Sequence, residues 1–309
     1  MTWLSDAAVE RLRDVADFPV PPARYEMLEP LARGGMGTVY RARDRELDRV
    51  VAMKVLSATS AREDLPLRMQ QEARILAALE HPGIVPVYDV GTLDDGRIFY
   101  VMKLVQGPRL DEHAADRPLA ERLRLFTRIC EPVAFAHARG VVHRDLKPAN
   151  VMIGAFGEVL VLDWGVAQTI SDCGAATMDA RPTVAGTAGY MPPEQARGDA
   201  VDARADVFAL GGILHFLLTG APPDAAPLQG PRAVQAICRK ARADAPADRY
   251  ADVPSLVGDV DRFLAGDSVS ALDEGALDRI ARVVRRNRVA IAIVVTYLML
   301  RYLIAWLAP

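Results

Sequence analysis

The stretch VVHRDLKPANVM, residues 141–152, sets a histidine, two cations, an aspartate and an asparagine between two apolar dipeptides. The apolar pairs predict short buried strands on either side of a polar loop. Within that loop, Asp145 can accept a hydroxyl proton, Lys147 can neutralise a phosphoryl group, and Asn150 can offer an oxygen to Mg²⁺. A solvated, charge-rich turn is the alternative, but it does not explain the apolar flanks. The stretch therefore favours a loop built for phosphoryl transfer.

Two other segments carry groups that such a loop requires. ARGGMGTVY, residues 32–40, lies between strand-like runs, and its glycines would let backbone N–H groups close over phosphates. By itself that is a weak signal. VLVLDWG, residues 159–165, delivers Asp163 from the end of an apolar strand, where its carboxylate could hold Mg²⁺ between phosphates.

A buried ion pair is predicted from two local periodicities. VVAMK ends a β-branched run at Lys54, and the next helical segment, RMQQEARILAAL, puts Glu72 on one stripe with Met69, Leu76 and Leu79. An unpaired carboxylate on an apolar face is costly, so Glu72 needs a partner, and Lys54 is the predicted one. A purely structural salt bridge is the alternative.

Composition limits the possible partners. The 309 residues include 37 Lys and Arg against 40 Asp and Glu, a net charge of -3, which gives no support to nucleic-acid binding. Three scattered cysteines without CxxC spacing indicate neither a zinc site nor a disulfide framework. The N-terminus lacks the pattern of a secretory signal and is interpreted as a short amphipathic helix.

The C-terminal segment differs from the rest of the chain. The basic stretch RVVRRNR, residues 282–288, precedes the apolar run 289–308, which is long enough for a helix to cross about 30 Å of hydrocarbon. The expectation is a single transmembrane helix in the cytoplasmic membrane, with the preceding domain on the cytoplasmic side because of the basic flank. Arg301 interrupts the run, at a cost of roughly 2.5–3.5 kcal/mol if central, so an interfacial or core helix is the alternative.

Taken together, these motifs resemble the eukaryotic-like (Hanks-type) serine/threonine protein kinases of bacteria. The resemblance covers roughly residues 25–264 and rests on GGMGTVY, VAMK, the Glu72 helix, HRDLKPAN, DWG, GTAGYMPPE and DRY. It implies an α+β, bilobal protein-kinase fold, with a small antiparallel β-sheet lobe carrying one regulatory helix and a large, mainly helical lobe. The expected divisions are an extension and linker at 1–24, the small lobe at 25–105, the large lobe at 106–265, a basic juxtamembrane segment at 266–288 and the transmembrane helix at 289–308.

The resemblance implies ATP as substrate and Mg²⁺, or Mn²⁺, as cofactor. Lys54, paired with Glu72, would contact the α and β phosphates, Asp145 would be the catalytic base, and Asn150 and Asp163 would bind the metal. Lys147 and Thr187 complete the expected catalytic set. The expected ATP-binding residues are Leu31, Gly34, Gly35, Met36, Gly37, Val39, Ala52, Lys54, Met102 and Val105.

Regulatory and structural roles are also implied by the resemblance. Arg144 matches an arginine that binds a phosphorylated residue of the activation segment, for which Thr177 and Thr183 are the candidates. Ordinary soluble loop threonines are the alternative. Such phosphorylation could occur between two copies of the chain. Asp206 matches a buried aspartate that ties the catalytic loop to the central helix, and Glu194 and Arg249 match a structural ion pair.

Some positions depart from the family pattern. Ala32 replaces the first glycine of the phosphate loop, Trp164 replaces the phenylalanine after Asp163, and the interval 220–248 is short. Two rival functions are a membrane-tethered, ATP-binding pseudokinase scaffold and a small-molecule kinase. The presence of every catalytic and metal-binding position opposes the first rival, and GTAGYMPPE, which resembles a platform for peptide substrates, opposes the second. The sequence therefore favours transfer of phosphate to serine or threonine of proteins.

Overall fold

The computed structural model describes residues 18–34, 37–56, 65–113, 117–164, 167–169, 189–273, 275 and 288–307. In the small lobe, five antiparallel strands form a sheet with the order β1-β2-β3-β5-β4, and one helix packs on it. These elements are β1 Tyr25–Gly34, β2 Gly37–Asp44, β3 Arg49–Leu56, α1 Leu65–Ala78, β4 Val87–Thr92 and β5 Ile98–Lys103. The predicted two-lobed α+β architecture is confirmed.

The side chains of strand β3 alternate between the two faces of this sheet. Val51, Met53 and Val55 belong to a cluster on one face, with aromatic side chains from the neighbouring strands. Ala52 and Lys54 therefore point to the other face, against which α1 packs. Met69 and Leu76 of α1, and Leu79 directly after its end, were predicted to share a stripe with Glu72, and all three are buried.

The large lobe is organised around one almost entirely buried helix. Every residue from 205 to 217 of α5 is buried, so its apolar composition reflects burial on all sides. The helices of this lobe, in chain order, are α2 Leu110–His113, α3 Leu119–Ala138, α4 Pro193–Arg197, α5 Arg204–Thr219, α6 Arg232–Ala241 and α7 Val253–Ala265. Helix α3 packs against both α5 and α7.

Short strands support the polar loop quoted above. β6 Val141–Val142 pairs with β9 Gln168–Thr169, and β7 Val151–Ile153 pairs with β8 Val159–Val161. A 3₁₀ turn, Pro148–Asn150, closes the loop before β7. The two apolar dipeptides thus lie in strands, as predicted, and they fix the ends of the loop between them.

The C-terminal apolar run forms helix α8, Arg288–Leu307, which contains Arg301. Over the described part of the chain, no helix has the combined length and apolar character that crossing a membrane requires. The transmembrane helix predicted at 289–308 is therefore not confirmed. The amphipathic helix predicted near the N-terminus lies mostly outside the described residues.

Candidate active site

Two side chains of the polar loop, those of Lys147 and Asn150, converge on Asp145. Lys147 Nζ lies 2.8 Å from Asp145 Oδ2, and Asn150 Nδ2 donates hydrogen bonds to the Asp145 backbone oxygen at 2.8 Å and to Oδ2 at 3.2 Å. The Asp145 side chain keeps 14% of its surface exposed, so a substrate hydroxyl can reach it. Because the Asn150 amide nitrogen is used on Asp145, its carbonyl oxygen remains to face a cation.

Asp206 of α5, whose side chain is fully buried, holds the backbone of this loop in place. Asp206 accepts hydrogen bonds from the backbone N–H groups of His143 at 2.8 Å and Arg144 at 2.9 Å, and its Oδ2 lies 2.7 Å from His137 Nε2. Burial alone would raise the pKa of Asp206, but the hydrogen bond with His137 holds it below its usual value. These bonds maintain the unusual positive φ of Arg144, 69°, beside Asp145.

The predicted pair of Lys54 and Glu72 is present in the structure. Lys54 Nζ donates to both carboxylate oxygens, at 2.8 and 2.9 Å, and Tyr100 Oη donates to Glu72 Oε1 at 2.8 Å. Burial opposes the charge on Lys54, yet the neighbouring carboxylates raise its pKa above the usual value. The ammonium group therefore stays positive in the cleft.

Asp163 brings a second carboxylate to Lys54 from the large lobe, with Oδ1 at 3.5 Å from Nζ. Its backbone has φ of 59°, and its side chain is 51% exposed. Burial of its surroundings opposes ionisation, but the charge of Lys54 holds the pKa of Asp163 below its usual value.

The next residue, Trp164, is buried, with its ring 4.6 Å from that of His143 and its Nε1 donating to the Val161 carbonyl. The indole thus anchors the backbone beside Asp163.

The donor set fits Mg²⁺ bound together with phosphates. Asn150 and Asp163 offer hard oxygen ligands, and Mg²⁺ in phosphoryl-transfer sites typically takes one or two carboxylates and fills its remaining positions with phosphate oxygens and water. Among the described residues, no three His, Cys, Asp or Glu side chains gather into a site that could enclose a metal alone. A metal here would therefore depend on its nucleotide.

Four of the predicted ATP-binding residues, Val39, Ala52, Lys54 and Met102, lie on one face of the sheet. Val39 lies opposite Lys54 across β2 and β3, and Ala52 lies opposite Met102 across β3 and β5, which places these side chains on the face that bears Lys54. Leu31 and Gly34 lie in β1, and Val105 follows β5. A Cβ atom at Gly37 would collide with the Val55 carbonyl, so only glycine fits at the start of β2.

Five of the predicted site residues lie outside the described residues. They are Gly35, Met36, Thr177, Thr183 and Thr187. The structure therefore brings together Lys54, Glu72, Asp145, Asn150 and Asp163 and leaves the predicted phosphorylation sites and Thr187 as predictions.

The chain just beyond Thr187 is fixed to the large lobe. Arg249 Nη1 and Nη2 donate to the two oxygens of Glu194 at 2.6 and 2.8 Å, as the resemblance implied. Gln195 Nε2 donates to the Arg144 carbonyl at 2.9 Å, which joins α4 directly to the catalytic loop. The segment beside the predicted substrate platform is thus tied to the loop that carries Asp145.

Sequence reasoning missed three residues that support the site: Tyr100, His137 and Gln195. Tyr100 lies directly opposite Lys54 in the sheet, so the alternation in IFYVMK could have indicated its face, although not its bond to Glu72. His137 and Gln195 carry no local signal, because each acts on a residue far away in the chain.

Comparisons with known proteins agree with this geometry. The family model described as the protein kinase domain matches residues 25–254. The chain is 43% identical over 252 residues to serine/threonine-protein kinase PknB of Mycolicibacterium smegmatis, covering 78% of this chain and 40% of the relative. It is 46% identical over 207 residues to the PknB protein of Mycobacterium leprae, covering 65% and 33%. The chain thus spans well under half the length of these relatives.

A solved structure extends the likeness to three dimensions. The kinase domain of PknI from Mycobacterium tuberculosis is 31% identical, with a TM-score of 0.62, and the alignment covers 79% of this chain and 97% of that domain.

Proposed function

The chain belongs to the protein kinase family, and on that premise we propose that it transfers the γ-phosphoryl group of ATP to serine and threonine hydroxyls of proteins. The observation that carries this proposal is the contact across the cleft between Lys54, which is paired with Glu72, and the carboxylate of Asp163. The residue before Asp163, Leu162, donates its backbone N–H to the carbonyl of Asn150 in the Asp145 loop at 2.8 Å. The PknB relatives, which bear the name serine/threonine-protein kinase, support the substrate class.

The side chains divide the work of the reaction between them. Asp145 receives the proton of the attacking hydroxyl, and Lys147, 2.8 Å from it, neutralises charge on the phosphoryl group in transit. Lys54 orients the α and β phosphates, and Glu72 keeps the ammonium group in place. When Mg²⁺ is bound through Asn150 and Asp163, it neutralises charge on the phosphates.

The test is phosphate incorporation from labelled ATP into a generic basic protein by the whole chain, compared with Asp145→Asn. We expect the variant to lose at least about 10²-fold in rate, because removal of a general base typically costs 10²–10⁴-fold. Asp94→Asn, in an exposed turn of the small lobe, is the matched control. Equal incorporation by wild type and Asp145→Asn would refute the proposal, and ATP binding without any transfer would favour the pseudokinase scaffold.

We also propose that the chain regulates itself by phosphorylating Thr177 and Thr183 between two copies, with Arg144 receiving the phosphate. Support comes from the position of Arg144, whose backbone is fixed by Asp206 on one side and Gln195 on the other, directly beside Asp145. Changing both threonines to alanine should lower activity and remove phosphate from this segment in mass spectra. Full activity of the double variant would exclude this switch.

A further proposal is that helix α8 attaches the domain to the cytoplasmic membrane, without assigning how deeply it inserts. The apolar side chains at 291–302 are exposed around the whole helix, and an arginine-rich stretch precedes it. Apolar surface of this kind is normally covered by lipid or protein, and basic flanks favour anionic headgroups. Membrane fractionation should retain the full chain and lose a chain lacking 289–309; identical fractionation of both would end this proposal.

A further inference from the structure

Two consecutive glycines interrupt the middle of α5, the most buried helix of the large lobe. Glycine destabilises a helix interior relative to alanine, so a pair at this position calls for a packing reason. A Cβ atom at Gly211 would lie 2.7 Å from Arg242 Cγ, and one at Gly212 would lie 3.1 Å from Arg242 Nη1 and 2.8 Å from the Tyr190 ring. Gly211 and Gly212 therefore form a notch that admits the Arg242 side chain.

The Arg242 side chain lies in this glycine notch, and its guanidinium group reaches the backbone at Gly189. Arg242 Nη1 donates a hydrogen bond of 2.7 Å to the Gly189 carbonyl, and Arg242 Cζ lies 4.9 Å from the centre of the Phe208 ring. Within the part of the chain that the structure describes, Arg242 forms no ion pair. Its contact with the Gly189 carbonyl is thus the specific polar bond that this half-buried cation makes.

Gly189 is a sensitive point in the chain. It has a φ of 83°, a left-handed conformation that L side chains rarely adopt, so the position favours glycine. Tyr190, the next residue, is buried against the glycine notch. Gly189 also stands two residues after Thr187, which belongs to the predicted catalytic set.

Three side-chain contacts, one of them a two-bond ion pair, then fasten the segment 189–195 to the large lobe. Arg249 holds Glu194, the last residue of GTAGYMPPE, and the next residue, Gln195, donates to the Arg144 carbonyl. The bond from Arg242 is the first of the three along the chain and the one nearest to Thr187. Its loss would free the backbone at 189 and 190 while leaving the other two contacts intact.

We propose that Arg242 is a positioning residue for the protein substrate, acting through the Gly189 carbonyl and admitted by the glycine notch. The inference rests on the proposed function, since it assigns a role in binding the protein that receives the phosphate. The ATP-binding face lies in the small lobe, on β2, β3 and β5, whereas the described contacts of Arg242, with Gly189, Phe208 and the glycine notch, lie in the large lobe. Arg242 should therefore affect the protein substrate and not the nucleotide.

The test compares three variants of the whole chain. Arg242→Met keeps the apolar stem in the notch and removes the donor, and Gly212→Ala keeps Arg242 but places a methyl group against its guanidinium and the Tyr190 ring. Arg239→Met is the control, because Arg239 is exposed in the last turn of α6, three residues before Arg242, and its side chain donates to Gln235 one turn earlier, at 2.7 Å. Steady-state kinetics with a generic basic protein give separate KM values for protein and ATP, and thermal unfolding identifies any variant that fails to fold.

We expect Arg242→Met to raise the KM for protein by about tenfold, since a hydrogen bond from a charged donor is lost, and to leave the KM for ATP within about twofold. Gly212→Ala should shift the same constant in the same direction, and Arg239→Met should match wild type. Unchanged KM for protein in folded Arg242→Met, or equal rises in both KM values, would overturn the inference.

Hydrogen exchange at the backbone amides of 189–197 provides a readout that does not depend on turnover. Faster exchange there in Arg242→Met than in Arg239→Met is expected, and equal exchange would contradict the role of Arg242. If wild type transferred no phosphate at all, the proposed function would fail, while the exchange result would still decide whether Arg242 holds the segment.

Discussion

Among the described residues, each lobe contains a buried pair of a cation with a glutamate, and the two pairs differ in what surrounds the cation. In the small lobe Lys54 meets Glu72 at 2.8 Å, and in the large lobe Arg249 meets Glu194 at 2.6 Å. All four residues are less than 10% exposed. Neither burial nor distance distinguishes the two pairs.

The remaining contacts of each cation do distinguish them. Besides its bonds to Glu194, the Arg249 guanidinium donates hydrogen bonds to the backbone carbonyls of Ala243, Arg204 and Asp244, at 2.7, 3.1 and 3.0 Å. Lys54 instead has Asp163, an exposed carboxylate across the cleft, as its further polar contact. Arg249 is structural, because its N–H groups donate to buried groups of the protein. Lys54 can exchange one partner for a ligand, because that partner is exposed at the cleft.

The largest expected effect that tests this comparison is on catalysis. Lys54→Met should lower kcat/KM for phosphate transfer by about 10²–10³-fold, the cost of removing one preorganised charge from a transition state. Much of the fold should survive, because Glu72 still accepts the hydrogen bond from Tyr100. Lys240→Met, in the large lobe over the Tyr250 ring, is the matched control. A rate loss explained entirely by unfolding, measured by thermal melting, would make the two pairs equivalent.

For Arg249 and Glu194 in the large lobe, we expect the main effect of a substitution on stability and not on catalysis. Arg249→Met should reduce the free energy of unfolding by about 3–5 kcal/mol, because Glu194 would remain buried without its partner. Urea denaturation at pH 7 measures this loss. Changing Glu194 to Met as well should recover part of it, since the uncompensated charge is then removed. If Arg249→Met lost activity while its stability matched wild type, Arg249 would belong with Lys54.

Local periodicity made one of these pairs predictable from first principles. The alternation of VVAMK fixed the face of Lys54, and the stripe on α1 fixed the face of Glu72, so each side chain could be oriented without a structure. Glu194 lies in the five-residue helix α4 and Arg249 directly follows a 3₁₀ turn, and neither element is long enough to show a periodicity, so only a family resemblance indicated their pairing. The two-lobed fold was predicted from the family resemblance, which the motifs carry in combination.

Long-range packing accounts for much of what the sequence could not predict. Tyr100 reaches Glu72 because β5 pairs with β3 in one register, and the glycine notch receives Arg242 because α6 folds back on α5. Neither relation leaves a pattern within one window of sequence. The transmembrane prediction rested on apolar length alone, which does not specify what covers the helix.

A third buried group, Asp259 of α7, extends the structural side of the comparison. It is fully buried and accepts hydrogen bonds from Tyr250 Oη at 2.7 Å, from Ser270 N at 2.7 Å and Oγ at 2.8 Å, and from Ala271 N at 3.0 Å, besides its pair with Arg262. Burial opposes its charge, but these hydrogen bonds hold the pKa of Asp259 at about 2. By the same criterion as Arg249, it should contribute to stability and not to catalysis.

The smallest expected effect is the pH dependence of that contribution. The pKa of Asp259 is lower in the folded chain than the value of about 3.9 in an unfolded one, so its stabilisation is present above about pH 4 and is lost as the pH falls toward 2. The difference in unfolding free energy between wild type and Asp259→Asn should therefore shrink by about 1 kcal/mol from pH 6 to pH 3, with Asp94→Asn as the exposed control. A constant difference would mean that Asp259 acts through packing alone. The charge of Asp259 would then not stabilise the fold as that of Arg249 does. Complete hydrogen bonding within the protein would not, by itself, identify a charged group as structural.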